Sequence, residues 1–116
     1  MTWEEALYNF FSGFGLDAFA ENAVPEKTRF PWLTYSVSRG SFDTTTSNTV
    51  HLHHYTESEA VPNAKADEIC NAVNGAIIPY DKGKMLLFTG SPEWFSAEDG
   101  NDRYHKHRLI NVMIHW

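Results

Sequence analysis

The clearest pattern in this 116-residue sequence is the alternation of side chains near its C-terminal end. Every second position there is apolar, at Ile110, Val112, Ile114 and Trp116. Successive side chains of a β-strand point to opposite faces, so a period of two predicts a strand with one buried face. We predict this strand over about 104–115. Such a strand requires at least one neighbouring strand with which to form a sheet.

A second alternating region predicts a long antiparallel hairpin over about 33–55. Apolar and polar residues alternate over 33–37, and the alternation resumes over 49–55. The stretch between them, 39–48, is polar, as is typical of a hairpin tip. A further short apolar strand is predicted over about 84–89.

Two other segments have helical spacing. Thr2 and Glu5 have the spacing of a capping box, in which each side chain accepts a hydrogen bond from the other residue's backbone amide. An apolar stripe follows and Gly13 ends it, so the first helix is predicted over 2–13. The second helix is predicted over about 58–74, with Gly75 directly after it. Its apolar stripe comprises Ala66, Ile69, Cys70 and Val73 and extends to Ile77.

The remaining segments predict connections. Residues 16–31 contain Pro25 and Pro31, which indicates an extended arm or short edge strand followed by a loop. Residues 90–102 are predicted to form a loop. The whole order predicts an α+β fold with one mostly antiparallel sheet and two helices packed on it. At 116 residues, the chain is expected to be a single domain over 1–116.

Composition excludes several classes of protein. The net charge of −6 lacks the basic surface by which proteins grip nucleic acid. The single cysteine, Cys70, cannot form an internal disulfide or a multi-cysteine zinc site. The N-terminus is acidic and no apolar run approaches the ~20 residues that span a bilayer, so we expect no signal peptide and no membrane segment. A soluble, reducing compartment is expected.

Histidine is the residue type that suggests a metal site. Of the six histidines, His51 and His53 share one strand face, and His105 and His107 share another. Two such pairs on neighbouring strands would converge. No HExxH frame contains them and no cysteine assists, so a structural or solvated role is the favoured interpretation, and a metal site is the alternative. We predict no catalytic, cofactor-binding or metal-binding residues, and no enzyme.

Other residues are more typical of partner binding. Phe42 lies in the polar tip, and the aromatic pair Trp94 and Phe95 lies in the predicted loop. Exposed aromatic side chains often mark partner surfaces. For Trp94 and Phe95 the alternative is core packing beneath the loop. The candidate interaction residues are Phe42, Asp43, Thr44, Thr45, Thr46, Trp94 and Phe95.

Six short segments occur in an order found in one protein family. They are LYNFF at 7–11, FGLDAF at 14–19, ENAVP at 21–25, FPWLTY at 30–35, AKADEI at 64–69 and RLINVMI at 108–114. Together they cover nearly the whole chain. In this respect the sequence resembles the tail-terminator, or tail-completion, proteins of long-tailed bacteriophages and prophages.

The resemblance implies a structural protein without enzymatic activity or cofactor. Such a protein forms a ring, usually of six subunits, on the head-proximal end of the tail tube, where it ends tube growth and provides the surface that joins the head. The implied partners are further copies of the chain, the tail tube protein and the head-tail connector protein. DNA would only pass through the ring, and no membrane would be involved.

The implied location is the virion tail, after assembly in the cytoplasm of the bacterial host. The tip residues 42–46 then become candidate contacts with the tube or lumen, and Trp94 and Phe95 become candidate subunit or tube contacts. A neighbouring head-tail connector or completion protein is the alternative. A small histidine-rich metal-binding protein or enzyme is a less favoured one.

Overall fold

The computed structural model describes residues 1–21, 23–26, 28–98 and 102–116, and these form two α-helices and six strands. A 3-10 turn over Ser12–Phe14 follows the first helix. In chain order the elements are α1 (Trp3–Phe11), β1 (Asp17–Ala20), β2 (Trp32–Ser36), β3 (Thr45–Tyr55), α2 (Ala60–Val73), β4 (Ala76–Tyr80), β5 (Gly83–Glu98) and β6 (His105–His115).

The six strands form one sheet in the order β1-β2-β3-β6-β5-β4. Every neighbouring pair is antiparallel except β1 with β2, which is parallel. The α+β class with one mostly antiparallel sheet and two helices is therefore confirmed. The hairpin predicted over about 33–55 corresponds to β2 and β3, and the C-terminal strand to β6.

The prediction of a loop over 90–102 is wrong for its first nine residues, because β5 continues to Glu98. The segment Gly90, Ser91, Pro92 and Glu93 interrupts the apolar alternation. In the structure a bulge absorbs these residues: Thr89 pairs with Val112, and pairing resumes with Trp94 opposite Ile110. Residues 99–101 of the predicted loop lie outside the described residues.

Helix α1 begins with the predicted capping box, whereas α2 begins at Ala60 and not at about 58, with no side-chain hydrogen bond from its N-cap residue, Glu59. The Thr2 hydroxyl accepts a hydrogen bond from the Glu5 amide at 3.2 Å, and the Glu5 carboxylate accepts one from the Thr2 amide at 3.1 Å. Helix α1 ends at Phe11, earlier than residue 13, because the chain tightens into the 3-10 turn. At the other helix, the Ser58 hydroxyl accepts from the amide of Ala60, the first residue of α2.

The core lies between the two helices and one face of the sheet, which we call the helix face. Strand alternation places Val50, Leu52, Ile110, Val112 and Ile114 on it, all almost fully buried. The opposite side, which we call the open face, is covered by none of the described helices. No helix among the described residues is long and apolar enough to cross a membrane.

Phe11→Ala tests the core. Phe11 is 0% exposed, stacks on Tyr35 with ring centroids 4.9 Å apart, and contacts Phe10 edge-on. Removing its ring leaves a cavity beneath α1, so the free energy of unfolding should fall by about 3–5 kcal/mol. Urea unfolding followed by circular dichroism measures this. A loss below about 1 kcal/mol would contradict the assignment of Phe11 to the core.

Candidate functional site

The polar tip between β2 and β3 folds against the last two residues of the chain. The Asp43 amide donates to the Trp116 carbonyl at 3.0 Å, and the Trp116 amide donates to the Thr44 carbonyl at 2.9 Å. The indole Nε1–H of Trp116 also donates to the Thr46 hydroxyl at 3.0 Å. These bonds join residues about 70 positions apart in the sequence, and they give the tip a defined shape.

His115 adds a side-chain connection to the same tip. Its Nε2 lies 3.0 Å from the Asp43 carboxylate, and its Nδ1 lies 2.9 Å from the Thr45 hydroxyl. Asp43 itself adopts a left-handed backbone with φ of 61°, which Asp tolerates better than most residues. All the candidate residues of the tip except Phe42 therefore form hydrogen bonds within the chain: Asp43, Thr44, Thr45 and Thr46.

This arrangement leaves the Phe42 side chain exposed to solvent. Its side chain is 90% exposed, more than any other large apolar side chain among the described residues. It borders a cleft of about 480 Å³ whose apolar wall also includes Ile77, Tyr80, Leu86 and Trp116. We call this the Phe42 cleft. Lys82 and Lys84 also line it, and the Arg39 guanidinium lies 4.4 Å from the Trp116 ring.

Sequence reasoning missed Ile77, Leu86 and the two lysines of this cleft. Ile77 continues the apolar stripe of α2 at helical spacing, which suggested a buried position. In the structure it lies in β4 opposite Leu86, on the open face, and is 63% exposed. Only the pairing of β4 with β5 reveals its direction.

Trp94 and Phe95 lie on opposite faces of β5. Trp94 packs against the core on the helix face, and its Nε1–H donates to the Asp67 carboxylate of α2 at 2.8 Å. These contacts are those expected from the packing alternative. Phe95 pairs with Leu109 on the open face and is 43% exposed. The structure thus separates two residues that the sequence suggested as a unit.

Four histidines lie together on the open face, across β3 and β6. Nδ1 of His51 lies 2.9 Å from Nε2 of His107, and Nδ1 of His53 lies 2.9 Å from Nε2 of His105. His53 also stacks on Trp32 with ring centroids 4.1 Å apart. The imidazoles contact one another in pairs and in stacks. Within the described parts of the chain, no group of three or more His, Cys, Asp or Glu side chains is arranged to hold a metal ion.

The pKa values of two buried side chains, His54 of β3 and Cys70 of α2, are shifted by their surroundings. Burial, with the nearby cations Lys65 and Arg108, lowers the pKa of His54 below its ordinary value of 6.5, so this buried imidazole is neutral at pH 7. Burial also raises the pKa of the Cys70 thiol to about 11. A thiol of that pKa is protonated at neutral pH and is a poor nucleophile.

The charged side chain of Arg108 in β6 is buried next to β3, the strand that contains His54. It is 2% exposed and forms an ion pair with Glu59 at the start of α2. Its Nε–H donates to the Asn63 side chain at 2.9 Å. The same contacts lower the pKa of Glu59, through hydrogen bonds from Lys106 and Arg108. This pair connects α2 to β6 and is a structural feature.

Comparison with protein-family models and with curated proteins gives no match. A chain in the solved structure of the virion of a native gene transfer agent (GTA) particle is similar in fold, with a TM-score of 0.77 and 11% sequence identity. The alignment covers 98% of this chain and 93% of that chain. At this identity the likeness establishes a shared fold.

Gly40→Ala tests the packing of the tip on Trp116. A Cβ at Gly40 would lie 2.6 Å from the Trp116 ring and 2.7 Å from the Thr44 hydroxyl. The indole is rigid and Thr is stiff at χ1, so we expect the free energy of unfolding to fall by about 1–3 kcal/mol. Gly13→Ala is the matched control, because nothing lies within 4 Å of its added Cβ. Equal unfolding midpoints for the two variants would show that the tip does not pack on Trp116.

The low pKa of His54 predicts a loss of stability in acid. As the pH falls below 6.5, the unfolded chain binds a proton that folded His54 resists, so the unfolding free energy decreases. His54→Gln removes this group, and its stability should fall less steeply between about pH 7 and pH 5. Urea unfolding of both proteins across this range measures the two slopes. Identical slopes would mean that His54 takes up its proton equally in both states.

Proposed function

We propose that this chain is a structural subunit of a tailed phage or prophage particle. The observation that carries the proposal is the shared fold with a chain of a gene transfer agent virion, which extends over 98% of this chain. The segments that resemble tail-terminator proteins point to the same class. The described residues also present large apolar side chains to solvent, as subunits of an assembly often do.

Within that class, we propose the role of a tail terminator. Copies of the chain would form a ring, usually of six, on the head-proximal end of the tail tube, stop further addition of tube protein and provide the head-joining surface. The sequence resemblance supports this finer assignment. A subunit that binds copies of itself and two other proteins needs several partner surfaces, and the Phe42 cleft, Phe95 and the open face supply exposed apolar area for them.

Deletion of the gene from its phage or prophage tests the role. Electron micrographs of the lysate should show tails of irregular, increased length and heads without tails, because nothing stops the tube or joins it to the head. Purified protein added to the lysate should restore joining and appear as extra density on one tube end. Tails of normal length on full heads would contradict the proposal. Binding to head vertices but not to tube ends would indicate the neighbouring connector instead.

A further inference from the structure

We propose that two surfaces at opposite edges of the sheet bind each other between copies of this chain. In this contact Asp17, Phe19 and Glu21 of one copy occupy the Phe42 cleft of the next. The inference rests on the proposed ring, and it identifies the surfaces that would hold neighbouring subunits together.

The Phe42 cleft combines exposed apolar surface with positive charge. Phe42, Ile77 and Leu86 are all exposed beside it. Lys82 and Lys84 line it, and neither forms an ion pair with any described residue.

One carboxylate, Asp43, lines the cleft itself, and it accepts a hydrogen bond from His115, which lines the cleft too. The carboxylate next to Lys82 in sequence, Asp81, binds the N-terminal amine of Met1. Asp43 alone therefore offsets part of the charge of the two lysines. The chain as a whole carries a net charge of −6, whereas this cleft presents two lysines beside an apolar surface. The cleft is therefore suited to bind an apolar group that is flanked by carboxylates.

The edge strand β1 carries such a group. Asp17 pairs with Trp32 and Phe19 pairs with Thr34, which places both side chains on the open face. The Glu21 amide donates to the Tyr35 carbonyl at 3.1 Å, so Glu21 stays beside β2 at the start of the turn that follows β1. Asp17 and Glu21 are exposed and form no ion pair within the described residues. We call these three residues the acidic stripe.

The two surfaces match in size as well as charge. An aromatic ring fits a cavity of about 150 Å³, which the cleft of about 480 Å³ exceeds. On a strand, the carboxylates on either side of Phe19 are separated by about 13 Å along the chain direction. Lys82 and Lys84 are long and flexible, so each ammonium group can meet one carboxylate while the ring enters the cleft.

The contact is made by side chains and not by joining the two sheets. β4 is an edge strand and contains Pro79, a residue with no amide hydrogen, which makes this edge a poor one for adding a further strand. Since the acidic stripe and the cleft are different surfaces at opposite edges, each copy uses one of each. Contacts of this heterologous kind close into a ring when the rotation between copies permits.

Cross-linking of the unmodified protein tests the contact directly. An equimolar mixture of ¹⁵N-labelled and unlabelled protein is treated with a carbodiimide, which joins amines to carboxylates that are in contact, alone and with tail tubes. We expect mixed-isotope peptides that link Lys82 or Lys84 to Asp17 or Glu21. Absence of these links in both settings overturns the inference, as does a link from these lysines to the tube protein in their place.

Charge reversal provides a second, independent test. Lys82→Glu with Lys84→Glu, or Asp17→Lys with Glu21→Lys, should each weaken the copy-to-copy association at least about tenfold. An equimolar mixture of the two variants should restore it, because reversed clefts then face reversed stripes. Glu57→Lys with Glu68→Lys is the control, since it alters charges outside both surfaces and should associate as the unmodified protein does.

The outcomes separate this inference from the proposed function. If both charge-reversed variants still associate and cap tube ends normally, the contact is wrong and the terminator role stands. If the unmodified protein leaves tube ends uncapped, the terminator role fails, and the cross-links still decide whether the copies bind as described.

Discussion

The antiparallel pairing of β3 with β6 determines where most of the important side chains lie. The two strands pair without interruption over eleven positions, from Thr45 opposite His115 to Tyr55 opposite His105. Side chains alternate along both strands, so this register places Val50 beside Ile110 in the core. A slip of one residue would exchange the faces and place His51 and His53 in the core beneath the helices in place of the aliphatic residues. The same register ends β6 beside the tip, where Trp116 orders residues 43–46.

The sequence predicts a helix or strand correctly where that element shows an uninterrupted pattern of apolar and polar residues of its own. Alternation in β6 and capping in α1 are local, and both are visible without knowledge of a partner. The second half of β5 is different, because Gly90 and Pro92 interrupt its alternation. Its strand character comes from pairing with Leu109 and Ile110 across a bulge. Since a distant segment supplies that pairing, residue type favours a loop, which was the prediction.

The candidate site divides in the same way. Phe42 was recognisable because a large apolar residue within a long polar stretch has little to pack against, and its side chain is 90% exposed. Trp94 looked similar in sequence, yet its ring packs against the core and its indole N–H donates to Asp67 of α2. Ile77 shows the opposite case, since its spacing predicts a buried core residue and its side chain is exposed to solvent. For such positions the sheet topology decides the direction of the side chain, and local sequence patterns do not reveal that topology.

Two helices of nine and fourteen residues cover only one face of this six-stranded sheet. Four apolar side chains on the open face are each more than a third exposed. They belong to two neighbouring strands: Ile77 to β4, and Leu86, Phe88 and Phe95 to β5. Single exposed apolar residues are ordinary, but several on one face carry an unfavourable hydration free energy that the contacts among the described residues leave in place. The Phe42 loop adds to this exposure, and its hydrogen bonds prevent a collapse that would hide the ring. Coverage of this surface by another molecule would remove that cost, which is the physical argument for proposing that the chain functions as a subunit of an assembly.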